Sequence, residues 1–373
     1  MQQEFDVMST LRTDLAALTA LHAPSGSEQP VIAYLRDLFT PLSDTVAIDH
    51  MGNLTATCEG AQNTPHIVVS AHADEIGAMV TSIEPDGFLR LVALGGVQPR
   101  LLEGRAVWVN RQPGVIGARA GHLTPEAEQN RGVSMDDLYV DLGVDTASEV
   151  EALGVRVGDP VVILSELRNL AGNRVAGKGI DNRAGCVVLL HLLRSLQGRV
   201  LPCRLTVLVT VQEEVGLRGA TAAFARLRPD IAIVVDTFPA AGTPDTRNLA
   251  YNAHIGRGAL ITPSSDAGGG RGFLLPRASL EATIAAAQRA NLSYQLAAIS
   301  GGGSVTDAVA AHLAAGGIST LEVKIPRRYS HSPVEMIDLS DLAVVISLIE
   351  ELVFHPPKME DFSFLKDNCA RKL

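Results

Sequence analysis

The chain has 373 residues, of which 46% are hydrophobic, 19% charged and 4% aromatic, and its formal net charge is −10. A single hydrophobic core stops growing at roughly 250–300 residues, so this length predicts one large unit and a smaller one. The acidic balance argues against a nucleic-acid surface, which is built from clustered Lys and Arg; few aromatics are available for a sugar platform, and local basic pockets for acidic substrates stay open.

In chain order, Leu11, Leu15, Leu18 and Leu21 recur at helical spacing and predict a helix over 5–22. The APSGSE stretch ends it, and a second helix is predicted from Ser27 to Leu38. Residues 44–48 and 53–57 predict two short strands around a turn at 50–52. HIVVSA (66–71) predicts a buried strand whose end delivers His72 and Asp74. From about 79 to 162 the texture changes to short β runs separated by Gly and Pro, at 87–94, 106–109, 114–118, 138–142 and 160–163, with one short helix near 146–152. The reading is a β-rich, barrel-like unit (79–163) inserted into an α/β domain made of 1–78 and 164–373.

The α/β texture returns at Gly179. Asp181 precedes an apolar helical run (184–196), followed by a strand at 205–211, the segment QEEVGLRGA, a helix near 220–227 and a strand at 231–236. A helix at 279–292, a strand region at 312–325 and a helix at 341–354 complete the pattern. Apolar strands alternating with helices predict a largely parallel or mixed sheet covered on both faces. The GGG stretches at 268–270 and 301–303 read as loops. The longest apolar runs are too short to span a bilayer, and the N-terminal stretch is acidic early and lacks a long apolar core, unlike a signal peptide. The expectation is a cytoplasmic enzyme with no membrane or nucleic-acid partner. Cys58, Cys186, Cys203 and Cys369 form no CxxC pair, and Cys186 and Cys203, in apolar runs, read as buried thiols.

The placement of the charged residues is informative. His72 and Asp74 follow one apolar strand, Glu213 and Glu214 a second, and Asp236 ends a third. Ligands of open α/β sheets gather outside the carboxyl ends of the strands, so three strands would deliver a histidine and several carboxylates to one crevice. Such a concentration of acids repels itself unless cations are present, and oxygen with imidazole suits zinc, cobalt or manganese. Each residue has a plainer reading. His72 could satisfy a strand end, Asp74 and Asp236 could cap turns, Asp181 could cap the following helix, Glu213 and Glu214 could form a solvated turn, and His331 could be a surface-loop histidine.

Five blocks appear in order: AHADEIG (71–77), GIDNRAG (179–185), VQEEVGLRGA (211–220), VVDTFPA (234–240) and IPRRYSHSPVEM (325–336). Together they resemble the M42 family of metallo-aminopeptidases over roughly 10–355, including the DHMGNL segment (49–54) and the β-rich insertion. The resemblance implies an α/β/α dinuclear metallopeptidase domain, with two divalent ions per subunit, zinc first and cobalt or manganese as alternatives. It implies that His72, Asp181 and Asp236 surround one ion and Asp181, Glu214 and His331 the other, with Asp181 bridging. Asp74 would orient the His72 ring, and Glu213 would stay off the metals as general base. It further implies short peptides with a free N-terminus as substrates and self-assembly, with a homododecamer as the expectation and a dimer as the alternative. In one departure from the family pattern, GGGSVTDAVA (301–310) has Ser304 and Val305 inserted before Thr306-Asp307-Ala308. The tail after Phe354 reads as a loose end or an assembly contact.

The nearest rival is another amide hydrolase on the same centre, such as a deacylase. A glycan hydrolase would need an aromatic cleft and an acid pair placed for glycoside chemistry, whereas the single Trp108 lies in an apolar strand. A catalytically silent scaffold is disfavoured because every expected ligand and the base are present. A nucleotide protein lacks both GxGxxG after the first strand and a P-loop. Arg257, Arg271, Arg327 and Arg328 are candidates for a basic substrate pocket, each with a structural role as the plainer alternative.

Overall fold

The computed structural model describes residues 2–61, 64–123, 131–246, 253–265, 272–298 and 305–363. The first half runs α1 (Gln2–Thr19), α2 (Gln29–Phe39), β1 (Thr45–Ile48), β2 (Leu54–Cys58), β3 (His66–His72), β4 (Gly77–Ile83), β5 (Leu89–Leu94), β6 (Ala106–Val109), β7 (Gln112–Ile116), β8 (Tyr139–Asp141), α3 (Ala147–Ala152) and β9 (Pro160–Ile163). It continues with β10 (Arg168–Asn169), β11 (Arg174–Gly177), α4 (Ile180–Ser195), β12 (Arg204–Thr210), α5 (Arg218–Leu227), β13 (Ile231–Pro239), β14 (Ala259–Ile261), β15 (Ser264–Ser265) and β16 (Phe273–Leu274). The last elements are α6 (Arg277–Arg289), β17 (Tyr294–Leu296), α7 (Asp307–Leu313), β18 (Ser319–Arg327), β19 (Glu335–Asp338) and α8 (Leu339–Phe354).

Eight strands form a mixed sheet in the order β1-β2-β12-β3-β13-β18-β14-β17. Its centre is parallel: β12 pairs with β3, β3 with β13, and β13 with β18 in one direction. β3, β12 and β13 are largely apolar because both faces are covered, whereas β18 also buries Glu322 and Lys324, paired at 3.3 Å. On one face α1, α2, α4 and α8 bury Leu11, Leu15, Leu18, Leu35 and Val345 against β3, β12 and β13. On the other, α5 and α7 pack Phe224, Ala308 and Ala311 over Val68, Leu208 and Val234. Helix α4 is buried along most of its length, from Cys186 to Leu190 and at Leu192 and Leu193, between the sheet and α1 and α8, and its polar residues His191 and Arg194 meet Asp14 of α1.

Strands β4 to β9 close a separate barrel in the order β4-β5-β8-β7-β6-β9. Its own core holds Val80, Leu89, Leu91, Val107, Ile116 and Val140, and closure removes the sheet edges that short strands would otherwise expose. Trp108 on β6 is half-buried, its ring 6.3 Å from that of His22, so it joins the barrel to the segment after α1.

The predicted elements recur with shifted ends, one region differs in kind, and several short strands had not been predicted. The strand region expected at 312–325 starts as helix: α7 reaches Leu313, and β18 begins only at Ser319. The cause is local, since the Thr306 side chain caps α7 by accepting from the Ala308 N–H. The barrel strand β4 had no counterpart among the expected β runs; it pairs with β5 and β9, partners that its own residues do not announce. Cys58, Cys186 and Cys203 are buried free thiols, and burial pushes Cys186 up to about 11 and Cys203 up to about 12. Among the described residues no helix is long and apolar enough to cross a membrane. Cys369, Arg271, Ser304 and both GGG stretches lie outside the described residues.

Candidate metal centre

The four central parallel strands end side by side, and each hands polar residues to the same crevice. β3 ends at His72, level with Thr210 of β12, and the chain after β12 carries Glu213 and Glu214. β13 supplies Asp236, and the loop after β18 supplies His331. Asp181 arrives from the start of α4, where Asp181 and Asn182 depart from helical geometry. The capping role weighed as the plainer reading of Asp181 falls to Asn182, whose Oδ1 accepts the Gly185 N–H at 2.9 Å and whose Nδ2 donates to the Val235 carbonyl at 2.9 Å. The Asp181 carboxylate is thereby left to face the crevice.

The crevice is lined by His72, Asp181, Glu213, Glu214, Asp236 and His331, with Thr237, Pro239, Val305, Arg327 and Ser330 around them. His72 Nε2 lies 3.3 Å from Asp181 Oδ1, 3.8 Å from Asp236 Oδ1 and 4.0 Å from Glu213 Oε2. His331 Nε2 lies 3.5 Å from Asp181 Oδ2 and 3.5 Å from Glu214 Oε1. Among the described residues, three ligand groupings have donor atoms within 4.8 Å of one another: His72-Asp181-Asp236, Asp181-Glu214-His331 and His72-Glu213-Glu214. Asp181 Oδ1 and Glu214 Oε1 are buried without a hydrogen-bond partner, and a buried anion left so is costly unless a cation takes its place.

The electrostatics agree with that reading. Burial pushes Asp236 well above the carboxylate range, with Asp181 adding to the rise. Glu213 is likewise raised well above it, by burial first, with His72 opposing and Asp236, Glu214 and Asp307 reinforcing. Burial and Asp181 bring Glu214 up to about 7. Asp181 goes the other way: burial raises it, but Arg327 and the two histidine rings outweigh that and hold it well below. Acids this close cannot all ionise without added positive charge, and a set of imidazole nitrogens and carboxylate oxygens with no thiolate fits a divalent ion such as zinc.

Asp74 does more than stand behind His72. Its Oδ1 is 3.3 Å from His72 Nδ1 and accepts the Glu213 N–H at 3.0 Å. Its Oδ2 accepts the Glu214 N–H at 3.1 Å and the Ser25 hydroxyl at 2.6 Å. One buried carboxylate thus sets the histidine ring and the backbone of both glutamates.

Other contributors had escaped the sequence reading. Glu335 on β19 accepts the Asp181 N–H through Oε2 and the His331 N–H through Oε1, each at 3.0 Å, and pairs with Arg327. It lies inside the IPRRYSHSPVEM block, but an acid that works on backbone amides leaves no spacing to read. Glu75 is buried against Lys178 Nζ at 2.8 Å and Arg183 at 3.5 Å, just below Gly179. Buried Asp307 accepts from the Thr210 hydroxyl at 2.5 Å. Among the arginines considered for a substrate pocket, Arg257 is exposed and Arg328 donates to the Gly242 carbonyl at 3.3 Å. Of these arginines among the described residues, Arg327 lines the crevice, at 2% exposure.

Comparison with known proteins points the same way. The profile of the family described as M42 glutamyl aminopeptidase matches residues 52–348. The glutamyl aminopeptidase of Lactococcus lactis subsp. cremoris is 32% identical over 350 residues, covering 90% of this chain and 94% of that one. Among solved structures, an aminopeptidase from the archaeon Desulfurococcus kamchatkensis superposes with a TM-score of 0.89 at 33% identity, over 96% of this chain and 98% of its own. The Pyrococcus horikoshii TET1 peptidase, described as assembling into a tetrahedron or a large octahedral shell, matches with a TM-score of 0.81 at 30% identity, over 92% and 99%. The chain therefore belongs to the M42 glutamyl aminopeptidase family, and its enzyme class is that of the aminopeptidases.

Proposed function

We propose that the chain removes N-terminal residues from short peptides at a centre for two divalent ions, with Glu213 as general base. The observation that carries this reading is the two-sided exposure of Asp181, whose Oδ1 faces His72 at 3.3 Å and whose Oδ2 faces His331 at 3.5 Å. His72, Asp181 and Asp236 would hold one ion and Asp181, Glu214 and His331 the other; this pairing uses every ligand and leaves Glu213 to act on water. Zinc is the first expectation, with cobalt or manganese accepting the same donors. Bound there, the ions supply Lewis acidity, lowering the pKa of a water and polarising the scissile carbonyl.

Glu213 takes the proton of the attacking water and returns it to the departing amine, so atoms and charge balance across the cycle. Glu213 lines the same crevice as both ligand groups, within reach of a water bound there. Asp74 keeps Glu213 in reach by holding its backbone N–H, and through His72 Nδ1 it orients the ring so that Nε2 points into the crevice. The low solvent access of the cluster strengthens each of these interactions.

We further infer self-association, with a dodecamer as the leading form and the 79–163 unit contributing contacts; the assembly described for the Pyrococcus horikoshii relative supports this. Light scattering of the purified chain measures it directly.

The test of activity uses one peptide library in two forms, with free and with acetylated N-termini, on protein stripped of metal and reloaded with zinc, cobalt or manganese. Release of terminal residues from the free library alone is expected. Equal cleavage of the blocked library, or release of acetate only, would move the assignment to an endopeptidase or a deacylase.

A further inference from the structure

Arg327 ends β18 inside the crevice and belongs to none of the candidate ligand groups. Its Nη1 lies 2.6 Å from Asp181 Oδ2 and also against Glu335 Oε1, while Nη2 donates to the Ser330 hydroxyl at 2.7 Å. The two oxygens of Asp181 are therefore unequal. Oδ1 faces His72 alone of the two histidines, whereas Oδ2, which faces His331, already carries a guanidinium. An arginine cannot relieve this by losing its proton, and at 2% exposure little water screens it.

We propose that Arg327 is a resident counter-cation that competes with an incoming ion for Asp181 Oδ2. The His72-Asp181-Asp236 group then fills first, and the Asp181-Glu214-His331 group fills at higher free metal. This inference rests on the two-ion reading above. The same charge has a second effect: while the outer group is empty, it offsets the repulsion among Asp181, Glu214 and Glu335. Arg327 thus stabilises the metal-free protein and weakens the last step of loading, two consequences that a residue merely positioning Asp181 would not combine.

The experiment is equilibrium dialysis of the stripped full-length protein against buffered free zinc, with bound metal counted by mass spectrometry. Cobalt absorption serves as a second readout of site filling. Wild type should load in two steps, and His331→Ala should remove the later one and so identify it. In Arg327→Met the later step should move to free zinc lower by about tenfold or more, as loss of a unit charge a few ångströms from a dication predicts, with the earlier step moving far less. Arg327→Lys, which keeps the charge, should stay close to wild type. Arg327→Gln keeps a donor toward Asp181 and Ser330 without the charge, and should follow Arg327→Met even if that variant folds poorly. The metal-free charge-removing variants should melt below metal-free wild type, with the gap closing on saturation. A later step that is unmoved, moves to higher free zinc, or shifts together with the earlier one overturns the competition. Uptake of fewer than two ions by wild type, or a second step that survives His331→Ala, overturns the two-ion reading itself before any Arg327 variant is consulted.

Discussion

The two halves of the crevice are built differently. The inner group, His72, Asp181 and Asp236, stands on strand ends and a helix start, is buried, and is tied down by Asp74 and Asn182. The outer group depends on a loop: His331 has φ +55, its side chain is 31% exposed, and its Nδ1 lies 3.3 Å from the Gly96 carbonyl just beyond barrel strand β5. A parallel sheet positions the first group simply by forming. The second exists only where the loop after β18 and the loop after β5 meet, so the barrel takes part in a site whose other members it does not carry.

The largest effect should come from the residue between the two groups. Glu213→Gln would remove the proposed base while leaving both candidate ligand groups, and kcat is expected to fall by roughly 10²–10⁴ with KM little changed. Metal content that falls along with the activity would instead make Glu213 a ligand, as the His72-Glu213-Glu214 grouping also allows.

Chelation should next separate the halves. On the proposed two-ion reading, chelation is expected to lower the melting temperature markedly, since a site at about 1,000 times Kd contributes about 4 kcal/mol. His72→Ala should reproduce more of that loss than His331→Ala, because the inner group is the more enclosed. The reverse order, read by calorimetry on metal-loaded protein, would break the comparison.

Asp74→Asn should cost about 10–100-fold in metal affinity or activity. Both of its oxygens accept N–H groups, so an amide nitrogen in either place opposes a donor. Gly96→Ala targets the outer half alone: an added Cβ would lie 2.3 Å from His331 Nδ1 and 2.7 Å from Cε1. Loss of one bound ion per chain, counted by mass spectrometry, with unchanged inner occupancy is expected; retention of both ions would show that the loop yields.

The smallest effect lies outside the crevice and serves as a control. Asp14 on α1 accepts from His191 at 2.8 Å and pairs with Arg194 of α4. Burial raises its pKa, but these two partners outweigh that and lower it from 3.8. A depressed carboxyl contributes stability above its unfolded pKa and loses it as pH falls through the folded one. Asp14→Asn should therefore lower the melting temperature by roughly 2–4 °C at neutral pH, the size of a 1 kcal/mol change in a large domain. The difference should close as the pH is taken below 3.8, without change in metal content.

Much of this protein was legible in its residues. Apolar runs located the central strands, because a strand buried on both faces needs little else, and acids placed at or just past their ends marked the crevice. His72, Asp181, Glu213, Glu214, Asp236 and His331, named from the sequence, converge in one crevice lining. Partners that act across the fold were not legible. Glu335 meets Asp181 and His331 through backbone amides, Arg327 at the end of β18 meets Asp181 at the start of α4, and β4 is a strand because the barrel closes on it. The sequence by itself determined which residue types stand at the strand ends, since that follows from local pattern and chain order. Only the tertiary structure decided which oxygen of Asp181 faces which histidine and which one carries a guanidinium, because those are distances between segments with no local signal linking them.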